Sequence, residues 1–339
     1  MSAESAESPE DRLRLRNRSR ETPRRRLVAD RAARWVVSAG GIAIIASILG
    51  ILIFIVIEVA PMTFPAKVTP VRQVAVPGAG PGTGKIGALL ADEHRTHVAT
   101  LDAQGVARVV RLDDGKEVYA SPPLAPVLVG MTVPAQSRAF AAATGDGRVL
   151  IKKMEFSVTF QGSDRVVAPD VTPPVFLELD PQHRPLRAFA AQIDDGGAAT
   201  AAAVLADGKL AVVRRALEKN ELTGESSESL SRAEIAAPGQ VTAMVLDPQQ
   251  RNLYAGTAGG NLLWWPLEGA QPGELKVANA GAPVTALNLL LGGKSLAVGQ
   301  DNGALAVWFA VRQPDDTQRL ERIHEFPRQP AAVRVIAPS

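Results

Sequence analysis

Apolar positions along this chain follow two patterns. The first is one unbroken run. Trp35 to Ile57, WVVSAGGIAIIASILGILIFIVI, holds 23 residues without a charge, between Arg34 and Glu58. A helix of that length reaches about 34 Å, enough to cross the hydrocarbon core of a bilayer. No face of it is polar, which argues against a helix half-buried in a soluble domain. A cleaved signal peptide has a shorter apolar stretch behind a short basic lead. Here both are long, so the pattern predicts an uncleaved transmembrane anchor.

The second pattern is a short apolar strand, a turn with glycine, and another apolar strand, met five times. The copies are THVATLDAQGVARVVRL around Gly105, RAFAAATGDGRVLIKK around Gly147, TAAAVLADGKLAVVRR around Gly208, NLYAGTAGGNLLWWPL around Gly260 and SLAVGQDNGALAVWF around Gly303. A tight hairpin turn needs positive φ, which glycine adopts at little steric cost. The glycines follow one another at 42, 61, 52 and 43 residues. Strand-rich units at such a period predict a β-propeller. Two features repeat in phase, because Val241 in QVTAM and Val284 in PVTAL are also 43 residues apart. A β-sandwich built from hairpins would not predict that.

A further echo, Leu179 to Arg184 against Leu246 to Arg251, lies 28 rather than 13 residues before its turn glycine when measured from the aspartates. Either the third unit carries an insertion, or the phase of the repeat is different there. Ala331 to Ile336 resembles the opening strand of a sixth unit. The expected fold is therefore all-β, an incomplete propeller of about five blades preceded by one transmembrane α-helix. A chain stopping one strand into a blade is expected to be truncated, since a propeller removes its open edges by ring closure.

Charge orients the membrane segment. The first 34 residues hold ten arginines, no lysine and six acids, a net of +4 in a chain of net +2. The positive-inside bias places this tail in the cytosol and the residues after Glu58 outside. The tail has no aromatic residue before Trp35, so it reads as an orientation signal touching anionic lipid, with no nucleic-acid partner expected. The expected organisation is a basic cytoplasmic tail over 1–34, the membrane helix over 35–57, a Pro/Gly-rich linker over 58–88 and the propeller over 89–339. Gly80 to Lys85 mimics a phosphate-binding loop, but Ala79 replaces its first glycine and Ile86 its magnesium-binding hydroxyl.

The search for chemistry returns little. The absence of cysteine excludes disulfides, thiolate metal sites and cysteine catalysis. His94 and His97 sit three apart, an offset that points to opposite faces of a strand. His183 falls in a turn and His324 near the end of a connection. The paired acids Asp113-Asp114 and Asp194-Asp195 lie beside glycine and read as turns. No catalytic, cofactor-binding or metal-binding residue is assigned, and no enzyme is expected; a propeller enzyme would need a cofactor pocket with converging carboxylates. Trp264, Trp265 and Trp308 read as packing between blades, and Glu218 to Glu234 as an exposed loop. In the membrane helix, Ala39, Ala43 and Ser47 form a small-residue row, with Ala46 and Gly50 as a second. Such rows allow close helix packing and are also ordinary usage in a membrane span.

The tail, the single span ending in Ile57-Glu58-Val59-Ala60-Pro61 and the degenerate repeat together resemble the N-terminal half of long phosphate ABC transporter permeases of the PstC family in proteobacteria. The resemblance covers nearly the whole chain. It implies a first membrane helix followed by a WD40-like propeller insertion on the periplasmic side of the inner membrane. It also implies partners: other permease helices or a transporter subunit, and a periplasmic phosphate-binding protein as a candidate. The chain departs from that family in having no second hydrophobic run and no loop to engage an ATPase, so no substrate-binding residue carries over. The alternative is a bitopic envelope scaffold that binds other proteins through its propeller.

Overall fold

The computed structural model describes residues 24–64, 74, 76, 86–162, 164–170, 172–219, 226–268 and 271–337. The chain divides into two compact units, Met1–Gln73 and Val74–Ser339. In the first, helix α1 (Arg24–Val59) runs for 36 residues and passes into a 3₁₀ turn, Ala60–Thr63, with Pro61 at its start. Proline fits a first helical turn, where its missing N–H is not needed. At about 54 Å the helix exceeds the apolar run. It begins at Arg24, eleven residues before Trp35, because arginine and alanine extend a helix already nucleated at little cost. It is long and apolar enough to cross a membrane, and its apolar side chains are exposed.

The second unit is built from antiparallel strands. The first sheet pairs β1 (Ile86–Ala91), β2 (His97–Asp102), β3 (Ala107–Arg111) and β4 (Glu117–Ala120) in that order. Next come β5 (Leu128–Thr132), β6 (Ala139–Thr144) and β7 (Arg148–Lys153). A two-stranded ribbon, β8 (Glu155–Gln161) and β9 (Asp164–Asp170), intervenes before β10 (Val175–Glu178) completes the second sheet. The third contains β11 (Phe189–Ile193), β12 (Ala199–Val204), β13 (Leu210–Lys219) and β14 (Ser226–Ile235). The fourth contains β15 (Val241–Leu246), β16 (Asn252–Thr257), β17 (Asn261–Pro266) and β18 (Lys276–Asn279). The fifth contains β19 (Val284–Leu289), β20 (Leu296–Gln300), β21 (Leu305–Arg312) and β22 (Gln318–Glu325).

The first strands of successive sheets meet one another: β1 with β5, β11 with β15, β15 with β19. Each sheet is thus a blade with its first strand innermost, and the described residues form a WD40-like β-propeller of five blades. The core lies between blades. Leu101 and Val109 meet Phe140 and Leu150. Ile151 and Leu177 meet Ala201 and Val213. Leu210 meets Leu253 and Trp265, and Trp264 meets Leu296 and Trp308. Second strands are buried on both faces, as in β6 (AFAAAT) and β12 (ATAAAV). Side chains there must fill a gap shared with the next blade, which selects small residues.

The structure settles or corrects four details of the pattern read in the sequence. The insertion lies in the second blade, as β8–β9, and not in the third. Asp180 follows β10 and links blades, whereas Asp247 turns β15 into β16, so the two echoing stretches hold different places. Ser226–Ile235 is a strand and not a loop, because β13 extends alongside it and pairs all ten of its residues, from Leu210↔Ile235 to Lys219↔Ser226. A continuous ladder satisfies the backbone even where the side chains are polar. Strand β1 starts inside the span read as linker; most of that linker, including the mimic of a phosphate loop, lies outside the described residues.

Candidate functional site

Gly105, Gly147, Gly208, Gly260 and Gly303 each turn the second strand of a blade into the third, at φ of +79, +79, +87, +80 and +83°. Four of them also seat the connection to the next blade. The carbonyl of Gly105 accepts Leu124 N–H at 2.8 Å, Gly147 accepts Leu179 at 3.0 Å, Gly260 accepts Ala280 at 2.8 Å and Gly303 accepts Gln329 at 2.8 Å. A Cβ at Gly260 would lie 2.9 Å from the Ala282 carbonyl oxygen, whereas nothing lies near one at Gly208.

Inner strands are held to one another by threonine. Pairing slips by one residue after Val241 and after Val284, which turns Thr242 and Thr285 out of the ladder. The Thr242 hydroxyl lies 2.5 Å from the Val284 carbonyl of the next blade and 3.1 Å from Gly256 O of its own. With one proton to donate, it serves the shorter contact. Thr285 repeats this, 2.5 Å from Val333 O and 3.3 Å from Gly299 O. Gly256 and Gly299 leave the room that Val284 and Val333 fill; a Cβ at either would collide with that valine.

Buried polar groups fix turns. Asp92 accepts His97 N–H at 2.8 Å, Thr96 N–H at 2.7 Å and the Thr96 hydroxyl at 2.9 Å. Burial pushes its carboxyl up, yet these donors outweigh it and hold it below the ordinary range. His97 is buried beside the Phe156 ring, centroids 5.9 Å apart, and burial lowers its pKa despite the nearby Asp92 charge. Asp247 accepts Arg251 and Asn252 N–H, and Asn252 Oδ1 accepts the Trp264 indole at 2.8 Å. Lys152 is buried and donates to Thr172 O; burial lowers its pKa while Asp170 opposes the shift.

The β5–β6 connection bonds to two other blades. Gln136 Nε2 donates to Leu290 O of the fifth blade at 2.7 Å, and Gln192 Nε2 of the third donates to Ala135 O at 2.8 Å. Ala135 is 4% exposed. The centre is a small cleft bordered by Val133, Ala191, Met244, Val245 and Leu287.

Ala39, Ala43, Ser47, Ala46 and Gly50 all lie exposed on α1. Of the four tryptophans, the three in the propeller are buried, Trp265 between the third and fourth blades and Trp264 with Trp308 between the fourth and fifth. His94 lies in the β1–β2 turn, His183 in a turn at φ +55°, and His324 on the outer strand β22. Among the described residues, no three His, Asp or Glu side chains gather in a metal-binding group. Sequence reasoning missed the threonine clamps and the ribbon β8–β9, whose Phe160 is 71% exposed. The repeat of Thr242 and Thr285 at the 43-residue period was the available signal for the clamps, and the alternation FSVTF for the ribbon.

No protein-family model matches the chain, and no curated protein matches it. Among solved structures, a chain of the mitotic checkpoint complex is similar at a TM-score of 0.45 and 9% identity, over 74% of this chain and 68% of that one. Nothing about function follows from a likeness at that level. The architecture itself defines the class: a WD40-like propeller together with an N-terminal helix long and apolar enough to cross a membrane.

Proposed function

We propose that this chain is the membrane-anchored propeller portion of a phosphate-type ABC importer permease, serving as a non-catalytic, extracytoplasmic docking or regulatory platform. The observation that carries the reading is the uncharged span directly behind a tail of ten arginines and joined to a propeller. The positive-inside bias supports a propeller outside the cytosol; the periplasmic face of a bacterial inner membrane rests on the family resemblance. The Ala39, Ala43, Ser47 row supplies a face on which further permease helices can pack closely. Phosphate as the substrate, and a periplasmic phosphate-binding protein as a visitor to the propeller, rest on the family resemblance.

The test is purification of the full chain from its native membrane in mild detergent. A multi-helix permease should co-purify and should be lost from the Ala43→Leu variant. Disruption of the gene should lower phosphate uptake. Recovery of envelope proteins without any permease would overturn the transporter reading in favour of a bitopic scaffold. One observation favours that second reading: the Gln136–Leu290 bond ties the second blade to the fifth across the centre, as in a domain that holds itself together.

A further inference from the structure

The ribbon β8–β9 stands outside the four-stranded blades. Its pairs run from Glu155↔Asp170 at the base to Gln161↔Asp164 at the tip. Alternate residues of a strand share a face, so Phe156, Val158 and Phe160 lie on one side of the ribbon, opposite Pro169, Val167 and Arg165. Phe156 is half-buried against the seam between the first two blades. Val158 is 38% exposed, and Phe160, toward the tip, 71%. The other side of β8 carries Ser157, Thr159 and Gln161. An apolar stripe thus leaves the core and ends in water.

The two edges of the ribbon are unlike. Gln161 and Asp164 flank a two-residue turn, so they exchange hydrogen bonds, and Thr159↔Val166 and Ser157↔Ala168 repeat this at every second position. The N–H and C=O groups of Phe156, Val158 and Phe160 therefore point to the free side of β8. Strand β9 lies near β4 of the first blade. It is guarded by Pro169, which has no N–H, and by Asp164, Arg165 and Asp170. Among the described residues β8 pairs with no other strand, and Phe156 to Gln161 holds neither proline nor charge. The outermost strands of the blades do carry charge: Glu117 in β4, Glu178 in β10, Glu228 in β14, Lys276 in β18 and Arg319 in β22. An unguarded ladder is a template for strand addition.

Phe156 to Phe160, FSVTF, reads nearly the same in both directions. We infer that β8 joins two copies of this chain, edge to edge and antiparallel about Val158. In that register Val158 faces its own copy, Phe156 faces Phe160, Ser157 faces Thr159 and Glu155 faces Gln161. A two-fold contact has to be self-complementary, and this one is: apolar residues meet apolar, hydroxyls meet hydroxyls, and no charge meets a like charge. The free backbone groups at 156, 158 and 160 fall into register as hydrogen-bonded pairs, and the two apolar stripes merge into one face. Two ribbons become one four-stranded sheet, past the size at which paired strands are marginal in water. The ribbon's two strands of seven residues fall short of the roughly 20–30 residues a side of a standard interface. The contact is therefore weak between free molecules, and confinement of both copies to one bilayer by α1 raises their effective concentration. The inference uses the anchor and stands whether or not the transporter reading holds.

The chain has no cysteine, so a single introduced thiol reports alone. Cα atoms of a hydrogen-bonded antiparallel pair lie about 5.5 Å apart, within reach of a disulfide. Full chains carrying Val158→Cys, Phe160→Cys or Val167→Cys would be oxidised in their membrane. Val158→Cys should give a disulfide-linked dimer. The other two should give at most a tenth of its yield, since each lies about 14 Å from its own copy in this register. Energy transfer between differently labelled copies in liposomes should fall at least tenfold for Val158→Lys, which sets two cations face to face, and persist for Val158→Thr. Unchanged tryptophan fluorescence would show that the variants are folded. A benzophenone at position 158 should cross-link to β8 of a second copy. Equal yields from the three thiols, no dimer from Val158→Cys, or energy transfer that survives Val158→Lys would overturn the proposal. So would benzophenone cross-links to lipid, to another protein or to residues 65–85 of this chain.

Discussion

At the scale of single residues, the five turn glycines look alike in the sequence and differ in what surrounds them. All have positive φ, but Gly260 is also closed over by Ala282 and Gly208 is open. Gly260→Ala is therefore expected to lower stability by about 1–3 kcal/mol through strain and backbone collision. Gly208→Ala should cost less, and urea unfolding followed by tryptophan fluorescence would rank the two. The turn at Asp92 and His97 sets a pH dependence. His97 has a depressed pKa, so its contribution is complete above the ordinary imidazole value of 6.5 and fades as pH falls below it toward the lower folded value. Asp92, also depressed, holds its contribution above the ordinary carboxyl value of 3.8 and loses it on further acidification. Arg111 works against the charged histidine; Asp92, Asp113 and Asp114 favour it. Thermal melts from pH 7.5 to 5 should show a decline that His97→Asn reduces.

At the scale of elements, the blades are joined by a few directional bonds laid over continuous apolar packing. Thr285→Val removes the hydroxyl that reaches Val333 O and should cost about 1 kcal/mol, while Thr285→Ser should be nearly neutral. Hydrogen exchange at residues 333–336 is the sensitive readout, rising for valine and not for serine. Such clamps were only half legible beforehand. The repeated VTA triplet could be seen in the chain, but the partner carbonyl belongs to a residue 42 or 48 positions away. The strand nature of Ser226–Ile235 was illegible for a related reason: its residues are polar, and only the paired neighbour β13 makes them a strand.

At the scale of the whole molecule, α1 predicts how the protein partitions. The full chain should remain with membranes through an alkaline carbonate wash, and removal of residues 35–57 should release it; a chain found in the soluble fraction would remove the anchor from the account. The propeller has its apolar matter in four seams between blades. Bonds through Gln136 and Gln192 join the second blade to the fifth and third, beside a small cleft among the inner strands. Partner binding is therefore expected on blade edges, tops and ribbons.

Local chemistry decided what was readable from residues alone. Twenty-three uncharged residues in a row dictate a helix long enough for a bilayer, since a backbone in hydrocarbon must satisfy its own hydrogen bonds. Glycine at a tight turn dictates a hairpin, since few other residues accept positive φ. Those two rules produced the helix, the hairpins and, through their period, the blades. Which blade carries the insertion, which strands lie innermost, what Thr242 and Thr285 hold, and where Val333–Ile336 lies depend on residues far apart in the chain. Each is settled by the packing of one sheet against the next, and only the tertiary structure decided them.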